Sequence, residues 1–221
     1  MRFANTHGQR TEAKPGASGA CLGCGEDLVP RCGKQKTWHW AHRKRGTCDS
    51  WREGETFWHR AWKLRFPDNW TEVVRTSCTG EKHIADVVTS SGLVIEFQHS
   101  HIHDREMRAR EDFYPQMIWV VDGTRLKRDR SNFLDGMECN LRSTPFLHFV
   151  FNGYGRQITR RWQDSENLVY LDFGEEDLWC ISPRKVNWQF FASRISKDDF
   201  IRSHLAGYTP RMAQRLLTEI N

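Results

Sequence analysis

The chain has 221 residues, a formal net charge of +5 and 28% charged side chains, a length that buries a sizeable core as one large domain or one domain with appendages. No apolar run approaches the roughly 18 residues of a membrane-spanning helix, and the first residues, MRFANTHGQRTEAKPGASGA, lack the apolar stretch of a secretory signal. A soluble chain in the cytoplasm is expected, and the odd count of seven cysteines argues against a secreted disulfide framework.

In chain order, residues 1–18 are aperiodic and rich in small polar side chains, and are expected to be flexible. Residues 19–50 hold Cys21, Cys24, Cys32 and Cys48 among histidines and tryptophans but few aliphatics. Such a segment has too little core to fold alone, and a metal is the natural substitute. Residues 53–66 carry Phe57, Trp58, Ala61, Trp62 and Leu64 near helical spacing and run into Pro67, which ends a helix. TEVVRTSC (71–78), HIADVV (83–88) and LVIEFQ (93–98) read as strands, the last two joined by turn residues. DREMRAREDFY (104–114) is a polar helix with Asp104 as its N-cap, and QMIWVVDG (116–123) is a strand covered on both faces. This order predicts an α/β fold. Beyond it, FLHFVFN, NLVYLDF, LWCIS and VNWQFF read as strands, and DDFIRSHLA and TPRMAQRLLTEI as closing helices. The expected organisation is a flexible 1–18, a zinc module over 19–50, a core over 51–130 and an α+β extension over 131–221.

The basic excess is N-terminal: residues 1–50 hold nine Lys/Arg against four Asp/Glu, and the remainder holds 24 of each sign. Its densest point contains Arg43, Lys44 and Arg45. Either this is a solvated loop, or it meets nucleic-acid phosphates and gains affinity by counterion release.

CLGC (21–24) followed by HWAH (39–42) spells C-x2-C-x14-H-x2-H. Thiolates and imidazoles in that number suit a tetrahedral zinc, and a closed four-ligand site is structural rather than catalytic. Cys21, Cys24, His39 and His42 are the expected ligands. The alternative for His39 is packing between Trp38 and Trp40, with Cys48 taking its place.

Asp86, Glu96 and Gln98 interrupt strands that otherwise read as buried. Carboxylates are rarely buried without a partner, and two of them on neighbouring strands make a pocket for a hard divalent cation such as Mg²⁺. Glu55, His59 and Lys63 stand at i, i+4 and i+8 and add a carboxylate, an imidazole and an ammonium along one helix edge.

The D-x9-E-x-Q pattern of Asp86, Glu96 and Gln98, following a helix with Glu55 and His59, resembles the core of the PD-(D/E)XK nucleases. More closely, CLGC, HWAH, CDSWREGETFWHRAWK, GEKHIADV, GLVIEFQHSHI and FYPQMIWVVDGTR resemble the CoiA-like competence nucleases over about residues 20 to 125. The resemblance implies a central mixed sheet flanked by helices, a structural Zn²⁺ module, and a catalytic Mg²⁺ or Mn²⁺ at Asp86 and Glu96, completed by Glu55 or His59. Gln98 stands where the superfamily signature has lysine. Glutamine orients water by hydrogen bonding but adds no charge, so Lys63 or Lys82 is the candidate source of the lost charge. Lys82, Arg105, Arg108 and Arg110 are candidate DNA contacts, although the arginines are equally placed to pair with neighbouring acids.

A DNA nuclease acting in uptake, recombination or phage defence is therefore expected. DNA is its expected partner, with recombination or defence proteins beside it. The alternative is a catalytically impaired DNA-binding accessory protein of recombination or transformation. RNA is a further substrate class to test.

Overall fold

A computed structural model describes residues 1–43, 48–51, 54–141, 148–152, 157–162, 164–186, 189–210 and 213–214. The chain divides into two compact units, Met1–Val88 and Thr89–Asn221. The division falls inside the 51–130 segment expected to act as one core.

The first unit opens with a five-stranded antiparallel sheet in the order β2-β1-β3-β4-β5. Its strands are β1 (Phe3–Thr6), β2 (Gln9–Glu12), β3 (Gly19–Ala20), β4 (Asp27–Arg31) and β5 (His39–His42). Residues 1–18, expected to be flexible, instead supply the first two strands. His7 and Gly8, with φ of 51° and 80°, close a tight hairpin of the kind that needs left-handed backbone at both turn positions. The Gly8 N–H donates to Asn5 Oδ1 at 2.8 Å. Apolar side chains are few but well placed: Met1, Ala4, Ala13, Cys21, Leu28 and Trp40 form a small core, against which Ala17, Cys32, Cys48 and Ile84 pack.

Helix α1 (Phe57–Lys63) follows, shorter than the expected 53–66. Thr56 caps it, its hydroxyl accepting the His59 N–H at 3.2 Å. Glu55 thus precedes the helix rather than lying on it. A 3-10 turn at Asp68–Trp70 leads into β6 (Thr71–Thr76), which pairs antiparallel with β7 (Lys82–Val88).

The second unit holds β8 (Val94–Gln98), α2 (Asp104–Phe113), β9 (Met117–Asp122), α3 (Asp129–Leu134), β10 (Met137–Leu141), β11 (His148–Asn152), α4 (Gln157–Trp162), β12 (Val169–Asp172), β13 (Asp177–Val186), β14 (Gln189–Ser196) and α5 (Lys197–Leu205). Its strands form a seven-stranded mixed run in the order β10-β11-β14-β13-β12-β9-β8. β8, β9 and β12 are parallel, the others antiparallel. All residues of β8, β9 and β12 are buried, as continuous apolar runs in a covered parallel sheet require. The strands after residue 136 join the same sheet as β8 and β9. Asp104 is the first residue of α2 rather than its cap; His103 holds the cap position. Asp104 and Glu106 still favour that end by facing the positive pole of the helix dipole. Most of TPRMAQRLLTEI, and Lys44 and Arg45, lie outside the described residues. Among the described residues, no helix is long and apolar enough to cross a membrane.

Candidate functional site

A cysteine–histidine cluster lies in the first unit. The Cys21 N–H donates to Glu26 O at 2.8 Å and the Gly25 N–H to Cys21 O at 2.9 Å, folding CLGCG into a knuckle. Gly25 has φ of 78°, which a side chain would strain. Cys21, Cys24, His42 and Cys48 bring one donor atom each within 4.8 Å of one another. Cys24 Sγ lies 3.3 Å from His42 Nε2, and Cys21 Sγ 3.6 Å from Cys48 Sγ. Zinc–sulfur and zinc–nitrogen bonds of about 2.3 and 2.0 Å set the donors of a tetrahedron about 3.5–3.8 Å apart, so this set fits the ion. Burial and the neighbouring Cys21 thiol push the Cys48 thiol up to about 12. A bound dication supplies the charge that makes such crowded thiols thiolates.

His39 is not in the set, and Cys48 replaces it. The reason is strand parity. Residues three apart on β5 project from opposite faces, so His42 shares a face with buried Trp40 while His39 points the other way. His39 Nδ1 bonds Thr37 O at 2.8 Å instead. Cys32 packs against the small core.

A second cluster in the same unit gathers acids around Lys63. Its Nζ lies 3.0 Å from Asp86 Oδ1, 3.2 Å from Glu72 Oε1 and 3.4 Å from Glu55 Oε2. The β6–β7 register, with Thr71 opposite Val87 and Val73 opposite Ala85, sets Glu72 across from Asp86. Like charges in that relation repel unless a cation sits between them, and Lys63 is that cation. Burial disfavours its charge, but Asp86, Glu72 and Glu55 outweigh burial and raise it well above the usual lysine value. Burial likewise opposes ionisation of Glu72, yet Lys63 and the Arg2 and Phe3 amides hold it at about 2. Those amides donate at 2.6 and 2.9 Å. Glu55 is lowered in the same way, burial being outweighed by Lys63 and Arg60, and Arg60 Nε donates to it at 3.0 Å. Glu72 sits at φ of 49°, uncommon for a residue with a side chain. The structure thus brings three of the expected residues together, Glu55, Lys63 and Asp86, and adds Glu72. His59 is buried, with Nδ1 bonded to Thr56 Oγ1 at 2.8 Å.

Glu96 and Gln98 are buried on β8 of the second unit. Arg110 of α2 donates to Glu96 Oε2 at 3.2 Å and to Glu106 Oε1 at 2.5 Å. Gln98 Nε2 donates to Ser100 O at 3.1 Å. Next to it, His99 Nδ1 bonds Asp122 Oδ2 at 2.7 Å, and Asp122 Oδ1 accepts the Thr124 N–H at 2.8 Å. Arg110, expected to reach phosphates, is instead buried against Glu96; Glu72 and the His99–Asp122 pair escape sequence reasoning because each partner lies on a different element. Arg43, Lys82, Arg105 and Arg108 are exposed.

Two family models match the chain. "Competence protein CoiA, N-terminal domain" covers residues 7–50, and "Competence protein CoiA, nuclease-like domain" covers residues 80–144. The first contains all four members of the cysteine–histidine cluster; the second contains Asp86, Glu96 and Gln98. No curated protein and no solved structure matches the chain. With two domains of one family matching in this order, the chain is similar to the CoiA-like competence proteins over residues 7–50 and to their nuclease-like domain over residues 80–144.

Proposed function

We propose that the chain is a Mg²⁺- or Mn²⁺-dependent deoxyribonuclease. The observation that carries this reading is the nuclease-like match over residues 80–144, which spans the D-x9-E-x-Q pattern. Asp86 and Glu96 are its metal ligands. Both are oxygen donors of the kind a hard dication takes, and each lies beside a protein cation, Asp86 3.0 Å from Lys63 and Glu96 3.2 Å from Arg110. When bound, such an ion lowers the pKa of water and stabilises charge on the phosphate.

The chain's own residues do the rest. Gln98 orients water or the metal's shell without adding charge. Lys63, buried against Asp86, is the better candidate than exposed Lys82 for the charge missing at Gln98. Glu55 joins Asp86 through Lys63 and is the better candidate than His59 to complete the site. Cys21, Cys24, His42 and Cys48 hold a structural Zn²⁺. Arg43, Lys82, Arg105 and Arg108 contact DNA phosphates, which position a strand without reading its bases. The setting is DNA uptake, recombination or defence against phage.

A second reading is favoured by one observation: Lys63 and Arg110 already neutralise the two acids. A core satisfied by its own cations suits a DNA-binding accessory protein that does not cut. Cleavage of labelled single-stranded DNA, duplex DNA and RNA with Mn²⁺, run beside Asp86→Ala, decides between them. Cleavage of DNA that the variant loses supports the nuclease. DNA binding without cleavage under any divalent metal supports the accessory role, and cleavage confined to RNA removes the deoxyribonuclease.

A further inference from the structure

The residue after Cys48 makes contacts that neither a zinc site nor a nuclease core requires. The Asp49 side chain is only 4% exposed. Its Oδ2 accepts the Ile84 N–H of β7 at 2.8 Å, and its Oδ1 bonds His83 Nδ1 at 2.8 Å. The same Oδ1 accepts the Trp51 N–H at 3.0 Å, fixing the turn that follows. Trp51 then stacks on the His83 ring, centroids 3.2 Å apart and planes 8° from parallel. On its other side, His83 Nε2 bonds Glu81 Oε1 at 3.0 Å. The segment Cys48–Trp51 is therefore clamped to β7 by two bonds to the Asp49 carboxylate, one from a backbone amide and one with a side chain, and by one stacked ring pair.

The knuckle presses on the same strand. A Cβ at Gly23 would lie 3.3 Å from Ile84 Cδ1 and 3.7 Å from Cys48 Sγ, so the turn between the first two cysteines packs directly on Ile84. Ile84 and Asp86 project from one face of β7, one pleat repeat apart. The metal donors, the clamp and the proposed metal-binding carboxylate are thus connected within four residues of β7.

We infer that Asp49 is a positioning residue: it transmits occupancy of the cysteine–histidine centre to strand β7 and so holds Asp86 in place. A metal that fixes Cys48 fixes the backbone of Asp49, and Asp49 fixes the amide of Ile84. Without the metal, Cys48 loses its anchor to the knuckle and the clamp must hold the loop alone. The role in catalysis rests on Asp86 being a metal ligand; the mechanical link does not.

Hydrogen exchange of the full chain, followed by mass spectrometry, tests the link. The zinc-loaded protein is compared with protein stripped by a chelator, and with zinc-loaded Asp49→Ala. Stripping is expected to speed exchange across 82–88 by about tenfold or more, while β9 and β12 keep their protection. Asp49→Ala is expected to reproduce that loss while metal analysis still finds one zinc per chain. Should Asp49→Ala fail to fold, Asp49→Asn carries the same comparison, because its single oxygen cannot accept both the Ile84 and the Trp51 N–H that the two carboxylate oxygens accept, and a smaller rise in exchange over 82–88 is then expected. Unchanged exchange over 82–88 after stripping, or in the zinc-loaded variants, overturns the link. Cleavage assays on the same samples separate the two claims: a wild-type protein that never cuts, yet loosens at β7 on stripping, defeats the nuclease and leaves the link standing.

Discussion

Lys63 Nζ lies 3.0 Å from Asp86 Oδ1, with Glu72 and Glu55 on its other sides at 3.2 and 3.4 Å. One buried ammonium thus faces three carboxylates, with Arg60 and the N-terminal ammonium also beside Glu55. Removing it leaves uncompensated charge, a loss that costs about 3–5 kcal/mol for buried pairs. Lys63→Met is therefore expected to lower stability by about that much in urea denaturation. Lys82→Ala, at an exposed site, is expected to stay within about 0.5 kcal/mol of wild type. If Lys63 also serves the proposed reaction, Lys63→Arg restores folding but not full cleavage, because a planar guanidinium does not replace a compact ammonium among three acids. Equal stability of Lys63→Met and wild type would remove the hub.

The acid side of that hub sets a pH dependence. Glu72 is held at about 2 in the folded chain, against about 4.3 for a free glutamate. Its contribution is present above the free value and disappears as pH falls through the folded one. The difference corresponds to about 3 kcal/mol. Stability of wild type should accordingly fall between about pH 4 and 2 more steeply than that of Glu72→Gln. Loss of zinc in acid affects both proteins alike, so the readout is the gap between the two unfolding curves. A gap that does not narrow with acid contradicts the assignment.

Where the pattern is local, the fold is legible in the sequence. The helix–strand–strand–strand–helix–strand order survives because each element carries its own apolar period and each break its own turn residues. Covered strand β9 reads as a continuous apolar run and is buried throughout. What stays hidden depends on pairing between elements. β1 and β2 are short and half polar, and their hairpin turns on His7 in the left-handed backbone that residues other than glycine seldom take. Glu72 meets Lys63 only once α1 and β6 are in place, and Arg110 meets Glu96 only across α2 and β8. His39 misleads because H-x2-H looks like the C-x2-C knuckle. A knuckle turns its two ligands toward one point, whereas a strand sends residues three apart to opposite faces.

That parity makes the metal ligands separable by mutation. Cys48→Ala removes one of four donors and is expected to lower zinc affinity by orders of magnitude, with the first unit losing thermal stability. His39→Ala removes a ring bonded to Thr37 O and is expected to retain one zinc per chain. Elemental analysis after dialysis against a weak chelator distinguishes the two variants. Zinc kept by Cys48→Ala and lost by His39→Ala would restore the C-x2-C-x14-H-x2-H set.

Helix α2 separates a structural arginine from two candidate phosphate contacts. Arg110 is buried against Glu96 and Glu106, and its guanidinium lies 5.8 Å over the Trp119 ring. Arg105 and Arg108 are exposed and three residues apart, so they share one side of the helix. Each phosphate contact to duplex DNA contributes about 0.9 to the slope of log affinity against log salt. Replacing Arg105 and Arg108 together by alanine is expected to weaken DNA binding, to reduce that slope by about 1.8, and to leave unfolding unchanged. Arg110→Ala is expected to behave in the opposite way: it strips Glu96 of its buried cation and lowers stability by about 3 kcal/mol or more. Fluorescence anisotropy over a salt series, with urea denaturation of the same variants, reads both quantities. An unchanged salt slope in the double variant would return Arg105 and Arg108 to the role of surface charge paired with neighbouring acids.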